Sequence, residues 1–341
     1  MSAPDPGGGR GAATRLVIDT DPGNGVPGAD IDDGLALALA LRSPEVSVEA
    51  VTVVAGNVDV ERALQCALEV LDAAGAGAVP VHRGAATPLV QDPAAWRRRL
   101  DARHDDPRAQ ALWRDVARTP SARPADDTPA ARALVEIVDR SPGEITVLAV
   151  GPLTNVATAV LLDPAWPEKV RRLVVMGGAF DVPNLLHELN FAYDPEATHI
   201  VLASAAPMLI VPLDVTLRTS MRMADVDRLQ RAGTPLAAYL AQTVRPWVAW
   251  LGERFHRDGC PLHDPLALAA LVDPSVITRR VASVGMELRG TLTRGRVVAW
   301  DPGDDELLDA GLDLPATRPV QIAGGVDGSR FMDLLLGRLA T

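Results

Sequence analysis

Short apolar runs alternate along the chain with longer segments of helical composition. Arg15–Asp19 (RLVID) is an apolar run that ends in an acidic residue, and Asp32–Ser43 begins with acids and continues in Ala and Leu, which favour helix. The alternation recurs further along. More strands are predicted at Val48–Val54, Val79–His82, Glu144–Val150, Arg172–Met176, Met208–Leu213, Val281–Leu288 and Arg296–Trp300, and more helices at Val60–Ala74, Pro129–Arg140 and from GPLTN to Leu162.

Repeated strand–helix units predict one α/β domain over residues 15–341. The expected architecture is an open, mainly parallel (mixed), Rossmann-like sheet with helices on both faces and a helical C-terminal part. Residues 1–14 are rich in Gly, Pro and Ala and are predicted to be a disordered tail. Residues 85–127, rich in Arg, Asp and Pro, break the alternation and are predicted to form an insertion or lid with up to two short helices.

The predicted fold places the functional residues. In open α/β sheets, ligands bind in the crevice outside the carboxyl ends of the strands. The segments that follow Asp19, Val54, Val150, Met176 and Leu213 are therefore expected to share one crevice.

The loop after the first strand, DTDPGNGVPGADIDD, concentrates acidic residues. It holds five carboxylates, Asp19, Asp21, Asp30, Asp32 and Asp33. Carboxylates at one strand end repel each other, and a bound cation relieves the repulsion. Because only oxygen ligands are on offer, a hard cation such as Ca²⁺ or Mg²⁺ is expected. Helix capping and the helix dipole would explain one or two of these acids, but not all of them.

Polar residues follow two other strands. Asn57 comes after Val48–Val54 and is of a type common in turns. Thr154 and Asn155 stand at a helix start, where capping is the ordinary role. The carbonyl of Val150 would face the crevice and could bind a hard cation.

Two later stretches carry further candidates. Glu188 and Asn190 are predicted to lie in an extended loop, where residues two apart point the same way and suit a polyhydroxyl ligand. Asp194, followed by Pro, indicates a helix cap. His263 and Asp264 precede an apolar helix, and their pairing matters because the other crevice residues converge with it.

The composition excludes several classes of function. A net charge of −11 argues against a nucleic-acid partner. The chain has one lysine, Lys169, and its Gly-rich stretches carry no Walker-type lysine. Two cysteines make no zinc site by themselves and suit a reducing cytoplasm. The longest apolar run, Leu35–Leu41, is too short to span a membrane.

Several short sequence motifs, taken together, resemble those of one protein family. DTDPG with a later DD, then AGN, GPLTN, VVMGGA, an ExNxxxDPEA stretch and HDPLA occur in this order from Asp19 to Ala270. In that order they resemble the inosine-uridine preferring nucleoside hydrolase family. The resemblance implies hydrolysis of the N-glycosidic bond of ribonucleosides to free base and ribose, one Ca²⁺ per chain at the strand ends, a nucleoside as the small-molecule partner, and a homodimer or homotetramer.

The resemblance also implies roles for individual residues. Asp21 is similar to a residue that both binds the metal and activates the attacking water, and His263 to one that assists departure of the base. The remaining roles carried over are metal binding by Asp33, the Val150 carbonyl and Asp264, ribose binding by Asp32, Asn57, Glu188 and Asn190, a 5′-hydroxyl contact by Asn184, and a sugar-pocket wall at Met176.

The chain departs from the family pattern in two places. Eight residues, NGVPGADI, separate Gly23 from Asp32, where family members usually have a single residue. Asp30 could therefore replace a neighbouring acid. The HGxxGL segment often found around positions 90–110 is also missing, although His104 lies there. That region normally closes over the base, so base specificity stays open.

Three alternatives remain at this point. The first is a hydrolase of another ribosyl compound, which would share the metal site but not the leaving group. The second is a non-catalytic, metal-dependent sugar-binding protein. The third is a phosphatase of the haloacid dehalogenase type, suggested by DTD after a strand, but its later lysine has no good counterpart here.

Overall fold

A computed structural model describes residues 12–302 and 318–341. Most of the predicted tail, residues 1–11, lies outside the described residues. Its last residue, Thr14, already belongs to the first strand.

The described chain forms a nine-stranded sheet and the helices that cover it. The strands are β1 (Thr14–Thr20), β2 (Val46–Val53), β3 (Val81–Arg83), β4 (Ile145–Ala149), β5 (Arg172–Met176), β6 (Met208–Val211), β7 (Ile277–Met286), β8 (Val297–Trp300) and β9 (Val320–Val326). The helices are α1 (Asp32–Leu41), α2 (Val60–Ala73), α3 (Ala94–His104), α4 (Pro107–Leu112), α5 (Ala130–Arg140), α6 (Thr154–Leu162), α7 (Trp166–Lys169), α8 (Leu189–Tyr193), α9 (Pro195–Leu202), α10 (Leu213–Thr216), α11 (Met223–Ala232), α12 (Pro235–Phe255), α13 (Asp264–Val272) and α14 (Gly328–Leu339).

The strand order is β3-β2-β1-β4-β5-β6-β9-β7-β8. The strands from β3 to β9 in this order run parallel, whereas β7 and β8 are antiparallel to their neighbours. The chain winds outward from β1 in both directions, which makes the edge between β1 and β4 the topological switch point. This confirms the predicted open, mixed, Rossmann-like sheet.

Buried side chains on alternate strand positions form a core on each face of the sheet. Leu16 and Ile18 of β1 join the core packed by α1, α2, α12 and α13, whereas Val17 joins the core packed by α5, α6 and α9. Parallel strands covered on both faces are expected to be continuously apolar, as β4 (ITVLA) is. Helices therefore lie on both faces, as predicted.

Two features of the C-terminal part and the insertion complete the fold. The sequence predicted two late strands, but the structure has a third, β9, which pairs with β6 on one side and β7 on the other.

Residues 85–127 form the two short helices α3 and α4. Gln91 and Arg97 from this segment donate hydrogen bonds to the carbonyls of Tyr193 and Gly56, so it runs past the end of α8 and the loop that follows β2.

Among the described residues, no helix combines the length and the apolarity that crossing a bilayer would require.

Candidate active site and metal centre

The acidic loop after β1 delivers its carboxylates into the interior. Asp19, Asp21 and Asp33 are fully buried, and Asp32 is 3% exposed. Asp21 leaves the end of β1, while Asp32 and Asp33 open α1, so the strand end and the helix start face each other at the switch point.

Hydrogen bonds fix the two innermost carboxylates. Asp33 Oδ1 accepts hydrogen bonds from the Thr20 hydroxyl at 2.5 Å and from the Asp21 amide at 3.0 Å. Asn57 donates its backbone N–H to Asp21 Oδ2 at 2.5 Å and its side-chain amide to Asp33 Oδ2 at 3.2 Å. Asp21 Oδ1 is buried and has no hydrogen-bond partner among the described residues. Asn57 thus holds both carboxylates from the end of β2.

The third carboxylate connects the loop to the C-terminal part. Asp32 Oδ2 accepts hydrogen bonds from the backbone amides of His263 at 2.8 Å and Asp264 at 3.0 Å. These amides stand at the start of α13, where a helix carries unpaired N–H groups. Carboxylate oxygens of Asp32, Asp33 and Asp264 consequently lie within 4.8 Å of one another. Neither Asp32 nor Asp264 is the capping residue of its helix, which removes the simplest structural explanation for these acids.

Burial raises the pKa of every carboxyl in this cluster, and the charges of neighbouring carboxylates raise the pKa values of Asp21, Asp32 and Asp264 further. Burial, with the charge of Asp33, raises the pKa of Asp32 to about 7. The pKa values of Asp21 and Asp264 rise well above the usual range, again through burial first and the neighbouring carboxylates second. Keeping several of them ionised near neutral pH requires a positive charge among them. Oxygen donors and an unpartnered, buried Asp21 Oδ1 fit a hard divalent cation.

A short helix supplies the opposite wall. Glu188 caps α8, and its carboxylate accepts hydrogen bonds from the amides of Asn190 (2.6 Å), Phe191 (2.9 Å) and Gly178 (2.9 Å). The side-chain amide of Asn190 donates to the Val150 carbonyl at 2.6 Å. The predicted extended loop is therefore wrong at Asn190, which is helical. Both side chains are nevertheless buried at the site, because the cap turns Glu188 back over the first turn.

These walls enclose a cavity of about 240 Å³. Its lining consists of Asp30, Asp32, Asn57, Val150, Met176, Leu185, His187, Glu188, Leu189, Asn190, Leu213, His263 and Asp264. The predicted shared crevice is confirmed, since its lining comes from the segments after β1, β2, β4, β5 and β6. Asp21 and Asp33 are not part of the lining and lie buried beside it. A larger hollow of about 470 Å³, lined in part by Phe180 and Arg280, lies outside the acidic cluster.

His263 lines the cavity, and its ring contacts Thr216, a residue that the sequence patterns do not single out. The Thr216 hydroxyl, at the end of α10, lies 2.7 Å from His263 Nδ1, which leaves Nε2 as the other ring nitrogen for a ligand. Burial lowers the pKa of His263, and the charge of Asp30 opposes this shift. The ring is thus oriented and partly desolvated, as a residue that exchanges a proton with a ligand needs to be.

One predicted site residue stands apart from the others. Asn184 is exposed, has a left-handed backbone (φ 60°), and lines a separate hollow with Phe180 and Leu186. The structure does not bring it together with Glu188 and Asn190. Instead, His187 lines the cavity, and its Nε2 is buried without a hydrogen-bond partner among the described residues. In the sequence, His187 could have been recognised as a cavity residue only from its position directly before Glu188 in the HELN stretch.

The GPLTN block serves the site through side-chain contacts and not through helix capping. Asn155 donates to Asp19 Oδ1 at 2.8 Å, and Thr154 donates to Asp194 Oδ2 at 2.7 Å. The predicted capping roles of Thr154 and Asn155 are therefore wrong, because α6 has no side-chain cap. Asp194 does cap α9, as predicted, by accepting from the Ala197 amide at 3.1 Å.

Known proteins resemble this chain over nearly its whole length. The model of the family described as inosine-uridine preferring nucleoside hydrolase matches residues 16–333. A pyrimidine-specific ribonucleoside hydrolase of Klebsiella pneumoniae is 33% identical over 96% of this chain and 99% of that protein. An uncharacterized protein of Schizosaccharomyces pombe is 34% identical over 95% and 98%.

Solved structures give the same result. A plant nucleoside hydrolase superposes with a TM-score of 0.83 at 32% identity, covering 96% of this chain and 99% of that one. A purine-preferring ribonucleoside hydrolase from Gardnerella vaginalis gives 0.80 at 30% identity, covering 96% and 98%. These matches favour an enzyme over a sugar-binding protein or a phosphatase. The chain belongs to the inosine-uridine preferring nucleoside hydrolase family and is a hydrolase of that family.

Proposed function

We propose that the protein cleaves the N-glycosidic bond of ribonucleosides to free base and ribose, with Asp21 as the general base for the attacking water. The observation that carries this is the Asp21 carboxylate at the switch point. One oxygen is held by the Asn57 amide, and the other is buried without a partner among the described residues. An oriented carboxylate with a free oxygen suits removal of a proton from a water.

The proposed cofactor is one Ca²⁺ per chain. Asp21, Asp33, Asp264 and the Val150 carbonyl would hold it, and this oxygen-only set suits calcium. When bound, the ion would help to bind the ribose hydroxyls and lower the pKa of a nearby water. The Val150 carbonyl accepts the Asn190 side-chain amide but has a second lone pair left for a cation.

The remaining cavity residues would hold the sugar. We propose that Asp32, Asn57, Glu188 and Asn190 contact the ribose, with Met176 as an apolar wall; Asn184 could contribute only if its loop moved inward. Cleavage develops positive charge on the sugar, as in glycoside hydrolysis generally. The surrounding carboxylates, held in place by backbone amides, would stabilise that charge without having to reorganise.

A panel assay tests the proposed function. Purified protein with Ca²⁺ is incubated with purine and pyrimidine nucleosides, and free ribose is measured. We expect release from at least one nucleoside and its loss in the Asp21→Asn protein prepared identically, which controls for contaminating hydrolases. If no nucleoside yields ribose, the proposed reaction is wrong, and other ribosyl compounds become the substrates to test.

His263→Ala is expected to slow natural nucleosides by at least roughly 100-fold but nitrophenyl riboside by less than about 10-fold. A poor leaving group departs with more negative charge and gains more from a proton donor, whereas nitrophenolate needs little help. The position of His263 in the cavity, with Nδ1 at the Thr216 hydroxyl, motivates this role. The measurement is kcat on both substrates for the same variant.

His187→Ala is the matched variant, because His187 is the other histidine of the cavity lining. Equal losses on the two substrates in His263→Ala would contradict the acid role and indicate simple packing. A selective loss in His187→Ala alone would move the acid role to that residue.

The assembly and location of the protein are also proposals. We propose a homodimer or homotetramer, which light scattering of the purified protein measures directly. Cys66 and Cys260 are both free and buried, which suits the cytoplasm we propose as the compartment.

A further inference from the structure

The two departures from the family pattern contact each other in the structure. The lengthened part of the acidic loop, residues 24–31, is here called the long loop. It packs against residues 85–127, here called the insertion. At Gly25 (φ +76°) a Cβ would lie 3.0 Å from Arg118 Cδ, and at Gly28 (φ +69°) a Cβ would lie 2.7 Å from the Arg103 carbonyl oxygen. The left-handed backbone and this close approach both call for glycine. The insertion therefore lies directly on the long loop.

Arg118 joins the insertion to α2 by a partly buried ion pair. Its guanidinium donates to both carboxylate oxygens of Glu69, at 2.9 and 3.1 Å. The Glu69 side chain is 3% exposed. A bidentate ion pair of this kind fixes the orientation of the guanidinium as well as its position. The arginine stem is thereby held against Gly25.

A thiol carries the contact from Arg118 into the long loop. Arg118 Nη2 lies 3.4 Å from Cys66 Sγ, and Cys66 donates to the Asn24 carbonyl at 3.2 Å. Asn24 is fully buried and donates its side-chain amide to the Ile31 carbonyl at 3.3 Å. Ile31 directly precedes Asp32 and Asp33. One connected path thus runs from Arg118 to the residue before the metal-site carboxylates.

We infer that Arg118, paired with Glu69, is a positioning residue that holds the long loop so that Asp32 and Asp33 stand at the correct separation from Asp21. The inference rests on the calcium site proposed above. Arg118 touches neither the cavity nor the carboxylates, and it acts through Gly25, Cys66 and Asn24. The long loop needs this support because several mutually repelling carboxylates stand at its two ends. The insertion therefore supports the metal site by holding the long loop in position.

Calcium affinity of matched variants tests the inference. Arg118→Gln is compared with Arg123→Gln. Arg123 also reaches from the insertion to α2, where it meets Asp72 at 3.3 Å, and it donates to the Val79 carbonyl at 2.7 Å. Its ion pair and its side-chain hydrogen bond both lie away from the long loop. Titration calorimetry of the chelated proteins is expected to show Ca²⁺ binding weakened by about 10-fold or more in Arg118→Gln, the range typical for partners that orient ligands, and by less than about 2-fold in Arg123→Gln.

A second variant keeps the test decisive if Arg118→Gln does not fold. Arg118→Lys keeps the charge but loses the bidentate hydrogen bond to Glu69. It is expected to weaken Ca²⁺ binding by several-fold while the circular dichroism spectrum stays unchanged. Unchanged calcium affinity in the folded Arg118 variants, or equal weakening in Arg123→Gln, would overturn the positioning role alone. Failure of the wild-type protein to bind Ca²⁺ would overturn the calcium site and this inference with it.

Discussion

Asp21→Asn is expected to lower kcat for nucleoside hydrolysis by at least roughly 100-fold, since loss of a general base has an effect of this size, and by more if Ca²⁺ is lost as well. The amide keeps the shape of the carboxylate, and its oxygen can still accept the Asn57 amide that Asp21 accepts at 2.5 Å. It lacks a second oxygen able to take a proton. Ribose release and elemental analysis for calcium on one preparation give both quantities.

Asp19→Asn is the control for this substitution. Asp19 is a fully buried carboxylate at the same strand end and, like Asp21, has one buried oxygen without a partner among the described residues. Its other oxygen accepts from Thr52 at 2.5 Å and Asn155 at 2.8 Å, and not from Asn57, which holds both Asp21 and Asp33. The kcat of Asp19→Asn is expected to stay within about 10-fold of the wild-type value, a smaller loss than removal of a general base causes. Near-normal turnover in Asp21→Asn with calcium retained would assign the base elsewhere. Asp30 is the first candidate, because it lines the cavity and burial raises its pKa to about 8.

Asp33→Ala is expected to weaken Ca²⁺ binding by more than roughly 100-fold, because even partners that only orient ligands are worth about 10- to 100-fold. Hydrolysis at ordinary calcium concentrations should fall with it. Asp33 also accepts from Thr20, Asp21 and Asn57, so its removal frees the groups that set the position of Asp21. Calorimetry of the chelated protein measures the affinity, and circular dichroism checks the fold.

Asp59→Ala provides the comparison, because Asp59 is the acid that opens α2. It caps that helix through the amides of Glu61 and Arg62 and touches none of the cluster. Its loss should cost about 1 kcal/mol of stability without changing calcium affinity. Tight Ca²⁺ binding by Asp33→Ala would show that the ion sits elsewhere.

The sheet could be predicted well because its strands are buried on both faces. Runs such as Arg172–Met176 are apolar at nearly every position, and the structure has this strand with the same bounds. β9 was missed because Val320–Val326 contains two glycines and reads weakly as a strand. Its place in the sheet depends on pairing with β6 and β7, which no local pattern reveals.

The candidate site was predictable where a residue follows directly on a strand. Asn57, Val150 and Met176 meet in the cavity because parallel strands bring their carboxyl ends together. The partners that hold these groups were harder to find. Thr216 beside His263 and Arg118 beside Gly25 come from segments distant in the chain, and their side chains carry no periodic signal. Asn184 was placed by resemblance, and the local loop puts it outside the cavity.

The hydrogen bonds to Asp32 have a consequence for how a newly made chain acquires its site. The amides that Asp32 accepts belong to residues 231 and 232 positions later in the chain. During synthesis the acidic loop leaves the ribosome long before these donors exist, and β9 follows later still. Contacts between such distant segments form late in folding. A nascent chain that has not reached residue 264 therefore lacks both the amide donors to Asp32 and the Asp264 carboxylate, and it cannot yet close the cavity that these residues line.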